Sequence, residues 1–252
     1  MKSLFLSIVL VFTCFTNVYA KELTAEEIVK AAIDHERDVS SYSLMTMTIH
    51  RPDWERSMTM RVWTKGMKKS LVRVVEPKKD AGSGNLLIDE DMWSYVPNIN
   101  RVIKLPSSMM NQSWMGSDFT NNDLAKADDI VEQYTHTLKE VRKHDGKKLY
   151  VIESIPKDAA PVVWGKEVIE VREDFVMLEH DFYDQDGKLV KKLVAKNIQN
   201  MGGKVVASRM RMIKEEKPEE WTEVSIKDAK FGVTIPERVF TLSNLRNPRQ
   251  GY

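Results

Sequence analysis

The spacing of apolar residues changes once along the chain. From Thr24 to Arg37 it follows a helical period, with Ile28 and Ile33 on one face. Thr24 stands three residues before Glu27, the spacing of a capping box, in which both side chains bind free backbone N–H groups at the start of a helix. This pattern predicts one helix from Thr24 to Arg37. Beyond it the period is two, which is typical of β-strands with two unlike faces.

Most of the remaining chain is predicted to form β-strands separated by short turns. Turns that tolerate a positive φ, such as His144-Asp145-Gly146 and Gly202-Gly203, join successive strands as hairpins. Consecutive hairpins build an antiparallel meander, and so many strands must curl, split into layers or close on themselves. The sequence therefore predicts a mainly β fold with a few helices and one large, strongly curved antiparallel sheet. The predicted strands are Tyr42 to Ile49, Ser57 to Thr64, Ser70 to Val75, Asn85 to Ile88, Met92 to Val96, Arg101 to Leu105, Gln133 to Arg142, Lys148 to Ile155, Lys166 to Arg172, Val176 to Tyr183, Leu189 to Lys196, Val205 to Ile213 and Glu223 to Lys227.

A curved sheet has a concave face that must be covered. Two parts of the chain can cover it: the predicted helix and the methionine- and tryptophan-rich segment from Pro106 to Asp129. Methionine has a flexible, polarisable side chain that adapts to ligands of loosely defined shape, so a movable cover would create an apolar pocket. In this interpretation Pro106 to Asp123 is a lid. The alternative is that its apolar side chains are ordinary core under a long loop.

The candidate pocket residues belong to the lid and to the strands that would face it. For each strand residue in the set the alternative is again ordinary sheet core, because a shift of one residue in register exchanges the two faces of a strand. The candidate cavity and lid residues are Met58, Met60, Val62, Trp93, Tyr95, Met109, Met110, Trp114, Met115, Phe119, Met210 and Met212.

The first twenty residues have the pattern of a cleavable signal peptide. Lys2 gives a positive start, Leu4 to Phe12 is apolar, and Val18-Tyr19-Ala20 supplies small residues for cleavage. An uncleaved membrane anchor and a lipoprotein signal ending at Cys14 are the alternatives, and both fit the pattern less well. We therefore expect secretion and a mature single domain over residues 21–252. That domain would contain no cysteine, which excludes disulfide and thiol chemistry.

Charge and motifs argue for a binding protein rather than an enzyme. The chain has 38 basic and 37 acidic residues, and removal of Lys2 with the signal would leave the two equal, which does not favour a nucleic-acid partner. No G-x-S-x-G, H-E-x-x-H, P-loop or C-x-x-C motif occurs, so no catalytic, cofactor or metal site is predicted. Glu179-His180-Asp181 alternates along a strand, which directs the two acids away from the histidine. The five histidines are expected in surface-like contexts: His35, His50, His136, His144 and His180.

Three segments resemble a known family. They are Met92-Trp93-Ser94-Tyr95-Val96-Pro97, Arg101-Val102-Ile103-Lys104-Leu105-Pro106 and Asp118-Phe119-Thr120-Asn121-Asn122-Asp123-Leu124. Together with the order of helix and strands, they resemble the outer membrane lipoprotein-sorting proteins, the LolA-like superfamily, and within it the branch associated with RND/MMPL-type exporters. The resemblance implies a half-open β-barrel with helices across its mouth and an apolar cavity.

The resemblance also implies a function. A protein of this kind carries lipids or the acyl chains of lipoproteins through the periplasm between the inner and outer membranes. Its partners would be an inner-membrane RND/MMPL-type transporter and, transiently, the membranes. The alternative is a periplasmic adaptor or binding module that docks a transporter and carries no lipid, and an esterase is a weaker third option. A carrier has a clear physical need for a cavity, because each methylene exposed to water costs roughly 0.8 kcal/mol.

Overall fold

A computed structural model describes residues 22–248 of the 252-residue chain. The predicted signal peptide, residues 1–20, lies outside the described residues, and so does Cys14. Between residues 22 and 248, no helix is both long and apolar enough to cross a lipid bilayer.

The predicted N-terminal helix is confirmed. Helix α1 spans Ala25–Arg37, and its capping box forms as predicted: the Thr24 hydroxyl accepts from the backbone N–H of Glu27 at 3.2 Å, and the Glu27 carboxylate accepts from the N–H of Thr24 at 2.8 Å. A stripe of buried side chains that includes Val29 and Ile33 packs against strands of the second half of the sheet. The helix therefore covers the sheet with its apolar face.

All of the predicted strands are confirmed, most with longer ends and three with one end a residue shorter. In the part of the chain that the structure describes, 13 strands form one sheet. They are β1 Ser40–Arg51, β2 Trp54–Lys65, β3 Lys69–Glu76, β4 Gly84–Ile88, β5 Asp91–Val96, β6 Arg101–Lys104, β7 Tyr134–His144, β8 Lys147–Pro156, β9 Lys166–Arg172, β10 Met177–Tyr183, β11 Leu189–Met201, β12 Lys204–Lys214 and β13 Lys217–Phe231. Short helices α2 Asn121–Ala125, α3 Asp129–Gln133 and α4 Leu242–Arg246 complete the fold.

The strand order explains the shape of the sheet. The order is β6-β5-β4-β3-β2-β1-β13-β12-β11-β10-β9-β8-β7, and neighbouring strands run antiparallel. Two meanders, β1 to β6 and β7 to β13, are thus joined through the pair of β1 with β13. Strands β6 and β7 are the two edges, so the sheet is curved but not closed. This confirms the expected half-open barrel.

The connection between β6 and β7 joins the two edges of the sheet. It contains the lid, α2 and α3, and packs on a cluster that includes Met58 and Met60 of β2. Because its ends are fixed at opposite edges of a curved sheet, this segment has to cross the open side. The chain connectivity thus puts the cover over the concave face.

The other face of the first meander is covered by the C-terminal part of the chain. Trp63 and Leu71 pack there with Leu245 of α4. Arg73 donates from Nη2 to the backbone oxygens of Asn244 and Leu245, at 2.7 and 3.0 Å, and so satisfies carbonyl groups at the end of α4 that have no partner within the helix. Strands β2 to β4 are therefore buried on both sides.

Candidate functional site

Two adjoining cavities lie between the sheet, α1 and the lid. Their volumes are about 250 and 350 Å³, and both are lined by Met45 of β1, Val62 of β2 and Phe119 of the lid. Since they share these walls, we treat them as one space and call it the hollow. Its size falls within the range of small-molecule binding sites.

The walls of the hollow come from inward-facing positions of several strands. Val62 and Thr64 of β2 line it two residues apart, and Leu193 of β11 and Val224 of β13 line it from the other half of the sheet. This follows from the period of a strand, in which every second side chain faces the same side. The strands of both meanders therefore contribute to one largely apolar surface.

Five of the predicted residues line the hollow. Val62 and Phe119 line both cavities, Met210 the first, and Trp114 and Met212 the second. They come from two strands, β2 and β12, and from two places in the lid. The structure thus brings together residues that lie up to 150 positions apart in the sequence.

Four other predicted residues, two from β2 and two from the lid, form packed core beside the hollow. Met58 and Met60 are 2% and 0% exposed and continue the inward face of β2 beyond Val62. Met110 and Met115 pack onto the same cluster. One end of the concave face is therefore filled by the segment Pro106 to Asp123, while the other end is hollow.

Three predicted residues lie elsewhere. Trp93 and Tyr95 of β5 pack with the cluster that α4 covers. Met109 is 39% exposed. Strand β5 pairs with β4 and β6 in the sheet. Its aromatic side chains face away from the lid.

Polar groups form part of one wall, and the sequence did not predict them. His180 of β10 is buried and lies 2.5 Å from the Glu167 carboxylate, with its ring stacked on Phe182 at a centroid distance of 4.1 Å. The expectation of a surface-like context is wrong for His180, because the inward face of β10 lies against the hollow. Strand alternation does direct Glu179 and Asp181 to the opposite face, as expected.

Glu36 and Arg37 at the end of α1 also line both cavities. Glu36 follows Ala32 and Ile33 at the spacing of the buried stripe of α1, so a charged residue stands where the pattern calls for an apolar one. A charged residue at an apolar position of the helix was the feature of the sequence that could have indicated the position of Glu36 in the hollow. The Glu36 side chain keeps accessible surface and lines both cavities.

Burial raises the pKa of the Glu36 carboxyl above its ordinary value of 4.5, and Arg37, His180 and His35 offset this only in part. The folded protein thus holds the Glu36 proton more tightly than the unfolded chain does. Ionisation of Glu36 therefore reduces stability, and this cost appears as the pH rises above 4.5 towards the raised value.

We expect Glu36→Gln to raise the midpoint of thermal unfolding only slightly at neutral pH, because it removes a charge that the folded protein disfavours but that still has accessible surface. The gain should shrink as the pH falls to 4.5, where Glu36 is increasingly protonated in both states. Melting curves over a pH series measure this, with Asp34→Asn as the control, since the Asp34 side chain on the same helix is 55% exposed. A gain that does not change with pH would contradict the assignment.

The lid is anchored to the sheet at Asp118. Its side chain is 0% exposed and accepts hydrogen bonds from both terminal nitrogens of Arg51, at 3.1 and 3.0 Å, and from the Thr222 hydroxyl at 2.7 Å. The Lys214 ammonium lies 3.2 Å away. A bidentate pair of this kind fixes both position and orientation, so this point of the lid is joined to β1, β12 and β13.

A second ionic anchor holds the end of the lid. Lys191 of β11 is 3% exposed, and its ammonium lies 2.5 Å from the Asp123 carboxylate and over the ring of Trp164. Asp123 also accepts the backbone N–H of Thr120 in the capping box of α2. The start of α2 is thus held against the second half of the sheet.

Trp114 provides a third anchor, between the lid and β4. Its indole N–H donates to the side-chain oxygen of Asn85 at 3.0 Å, and both residues are buried. We expect Trp114→Phe to reduce the free energy of unfolding by about 1 to 3 kcal/mol, because the Asn85 oxygen loses its partner. Denaturant titration measures this. Trp54→Phe is the matched control, because Trp54 is 51% exposed and its change should stay within about 0.5 kcal/mol.

Comparison with known proteins places the chain in a family and identifies solved structures that are similar to it. A family model described as "uncharacterized protein", that of the DUF1329 family, matches residues 66–247. No curated protein sequence matches the chain.

Three solved structures are similar over nearly their whole length. One, described as an outer membrane lipoprotein-sorting protein domain from Vibrio parahaemolyticus, has a TM-score of 0.76 and 24% identity, with 88% of this chain and 98% of that chain covered. A DUF1329 family protein from Desulfovibrio piger has a TM-score of 0.76 and 26% identity, covering 86% and 95%. A LolA superfamily protein from Nitrosomonas europaea has a TM-score of 0.71 and 25% identity, covering 87% and 98%.

Proposed function

Since this chain belongs to the DUF1329 family and has a LolA-like fold, we propose that it is a periplasmic carrier of acyl chains. The acyl chains, of a lipid or a lipoprotein, bind in the hollow and cross the periplasm between the inner and outer membranes. The proposal treats residues 1–20 as a cleaved signal peptide and residues 21–252 as one carrier domain. The hollow is a binding site with no catalytic role.

The hollow is the observation that supports this proposal. Its walls are mainly the apolar side chains of both meanders, and the lid covers it from the open side of the sheet. Burying an acyl chain gains roughly 0.8 kcal/mol per methylene, so about ten methylenes yield about 8 kcal/mol before the cost of association is subtracted. Binding on this scale is moderate, and a carrier has to release what it binds.

The anchors of the lid bear on how cargo enters and leaves. Asp118 and Asp123 hold the lid by buried ionic contacts, and Trp114 holds it by a hydrogen bond. Cargo exchange therefore has to break these contacts or deform the segment between them. We expect a partner to assist this step, and an inner-membrane transporter of the RND/MMPL type is the proposed donor of cargo.

Lipid content of the native protein tests the proposal. Protein isolated from the periplasm without detergent is analysed by native mass spectrometry, and the lipid-free protein is titrated with a fluorescent acyl probe. We expect a co-purifying acyl lipid at about one per protein and saturable uptake of the probe. A protein that carries no lipid and takes up no probe is not a carrier, and this outcome would favour the transporter adaptor.

A further inference from the structure

The Glu36 carboxylate lies in the hollow without a partner. In the described part of the chain, no group donates a hydrogen bond to it and no cation forms an ion pair with it. It projects from the last turn of α1 and lines both cavities. Its side chain keeps accessible surface that a ligand can reach, and no protein contact uses its oxygens.

The neighbouring Arg37 does not neutralise this carboxylate. Consecutive helix positions do not face each other, and the Arg37 guanidinium donates instead to the backbone oxygen of Met67 at 3.2 Å. Arg37 therefore ties the end of α1 to the turn between β2 and β3. Glu36 has no such structural contact.

Other charged groups near the hollow are already paired. Glu167 is bonded to His180, and Lys191 to Asp123, each at 2.5 Å. These pairs use the groups that could otherwise bind a polar ligand. Glu36 is thus a charged group of the hollow whose hydrogen-bonding capacity is unused.

We propose that Glu36 is the subsite for the polar end of the bound amphiphile and that this end carries a hydrogen-bond donor, with an ammonium group bound most strongly. This inference rests on the proposed function and specifies its ligand class. The apolar chain lies along the surface around Val62 and Phe119, and the donor group meets the carboxylate where the two cavities join.

The physical reason is that the ligand replaces water as the hydrogen-bond partner of the Glu36 carboxylate. A donor on the ligand gives Glu36 a charge-assisted hydrogen bond in place of one to water, and such bonds are stronger than neutral ones. A ligand that ends in a carboxylate brings a second negative charge to the same place and is disfavoured. A hydroxyl group can donate but carries no charge, so it should rank between the two.

Three single-chain amphiphiles of equal length test this inference: decylamine, 1-decanol and decanoate. Each displaces a fluorescent acyl probe from the lipid-free protein at neutral pH and at concentrations below micelle formation. In the unmodified protein we expect the amine to bind at least about tenfold more tightly than the acid. Glu36→Gln should remove most of this preference and change decanol binding by less than about twofold.

The control is Asp34→Asn, which removes the same charge from an exposed position of α1. It should leave the ratio of amine to acid affinity unchanged. If the acid binds as tightly as the amine, or if Glu36→Gln leaves the ratio unchanged, the subsite assignment is overturned and the carrier proposal stands. If none of the three compounds displaces a bound probe, the subsite assignment is also overturned, and only a protein that takes up no acyl probe refutes the carrier proposal as well.

Discussion

Asp118→Asn should lower the free energy of unfolding by about 3 to 5 kcal/mol, the usual cost of removing one partner from a buried ion pair. The loss arises because Arg51, whose side chain is 14% exposed, would lose its bidentate carboxylate partner and keep Glu220, at 3.3 Å, as its acidic partner. Thr222 would also lose a charged acceptor. Chemical denaturation with urea measures the effect, and limited proteolysis within Pro106 to Asp123 should become faster.

Asp91→Asn is the matched control for Asp118→Asn. Asp91 lies 2.6 Å from the Lys104 ammonium, but its side chain is 51% exposed. Exposed pairs of this kind contribute at most about 1 kcal/mol. Equal losses in the two variants would show that Asp118 does not anchor the lid.

Val62→Trp should weaken acyl binding by roughly 30-fold. Val62 lines both cavities, and the indole would take the space of about two or three methylenes of ligand, each worth roughly 0.8 kcal/mol. Stability should change little, because the larger side chain enters empty space. Titration with a fluorescent acyl probe measures the binding, and a thermal melt checks the fold.

The control for Val62→Trp is Val141→Trp on the edge strand β7. Val141 is 50% exposed and lies outside the hollow, so the same substitution there should leave acyl binding unchanged. Unchanged binding by Val62→Trp in a folded protein would mean that acyl chains bind somewhere other than the hollow.

The residues of the hollow could be predicted only in part. The apolar period identified Val62, Met210 and Met212 as members of strand faces, but it did not say which part of a face is packed and which is hollow. That depends on how far the lid reaches across the sheet. Met58 and Val62 share one face of β2, yet the lid packs onto the first while the second borders empty space.

The polar part of the hollow was not predicted because its partners are distant in sequence. His180 is paired with Glu167 on the neighbouring strand, 13 positions away, although the sequence suggested a surface-like context. Asp118 is bonded to Arg51, 67 positions away, and to Thr222, 104 positions away. A lone acid or histidine in the sequence carries no information about such contacts.

The sequence by itself determined the local elements of this protein. Capping at Thr24, the period of two and the positive-φ turns act over a few residues, so α1 and the strands of the meander could be read directly from the chain. The tertiary structure alone decided the pairing of β1 with β13, the buried anchors of the lid and the position of Glu36 in the hollow. The physical reason is range: hydrogen bonds within turns and helices depend on neighbours in sequence, whereas an enclosed space depends on every element that surrounds it.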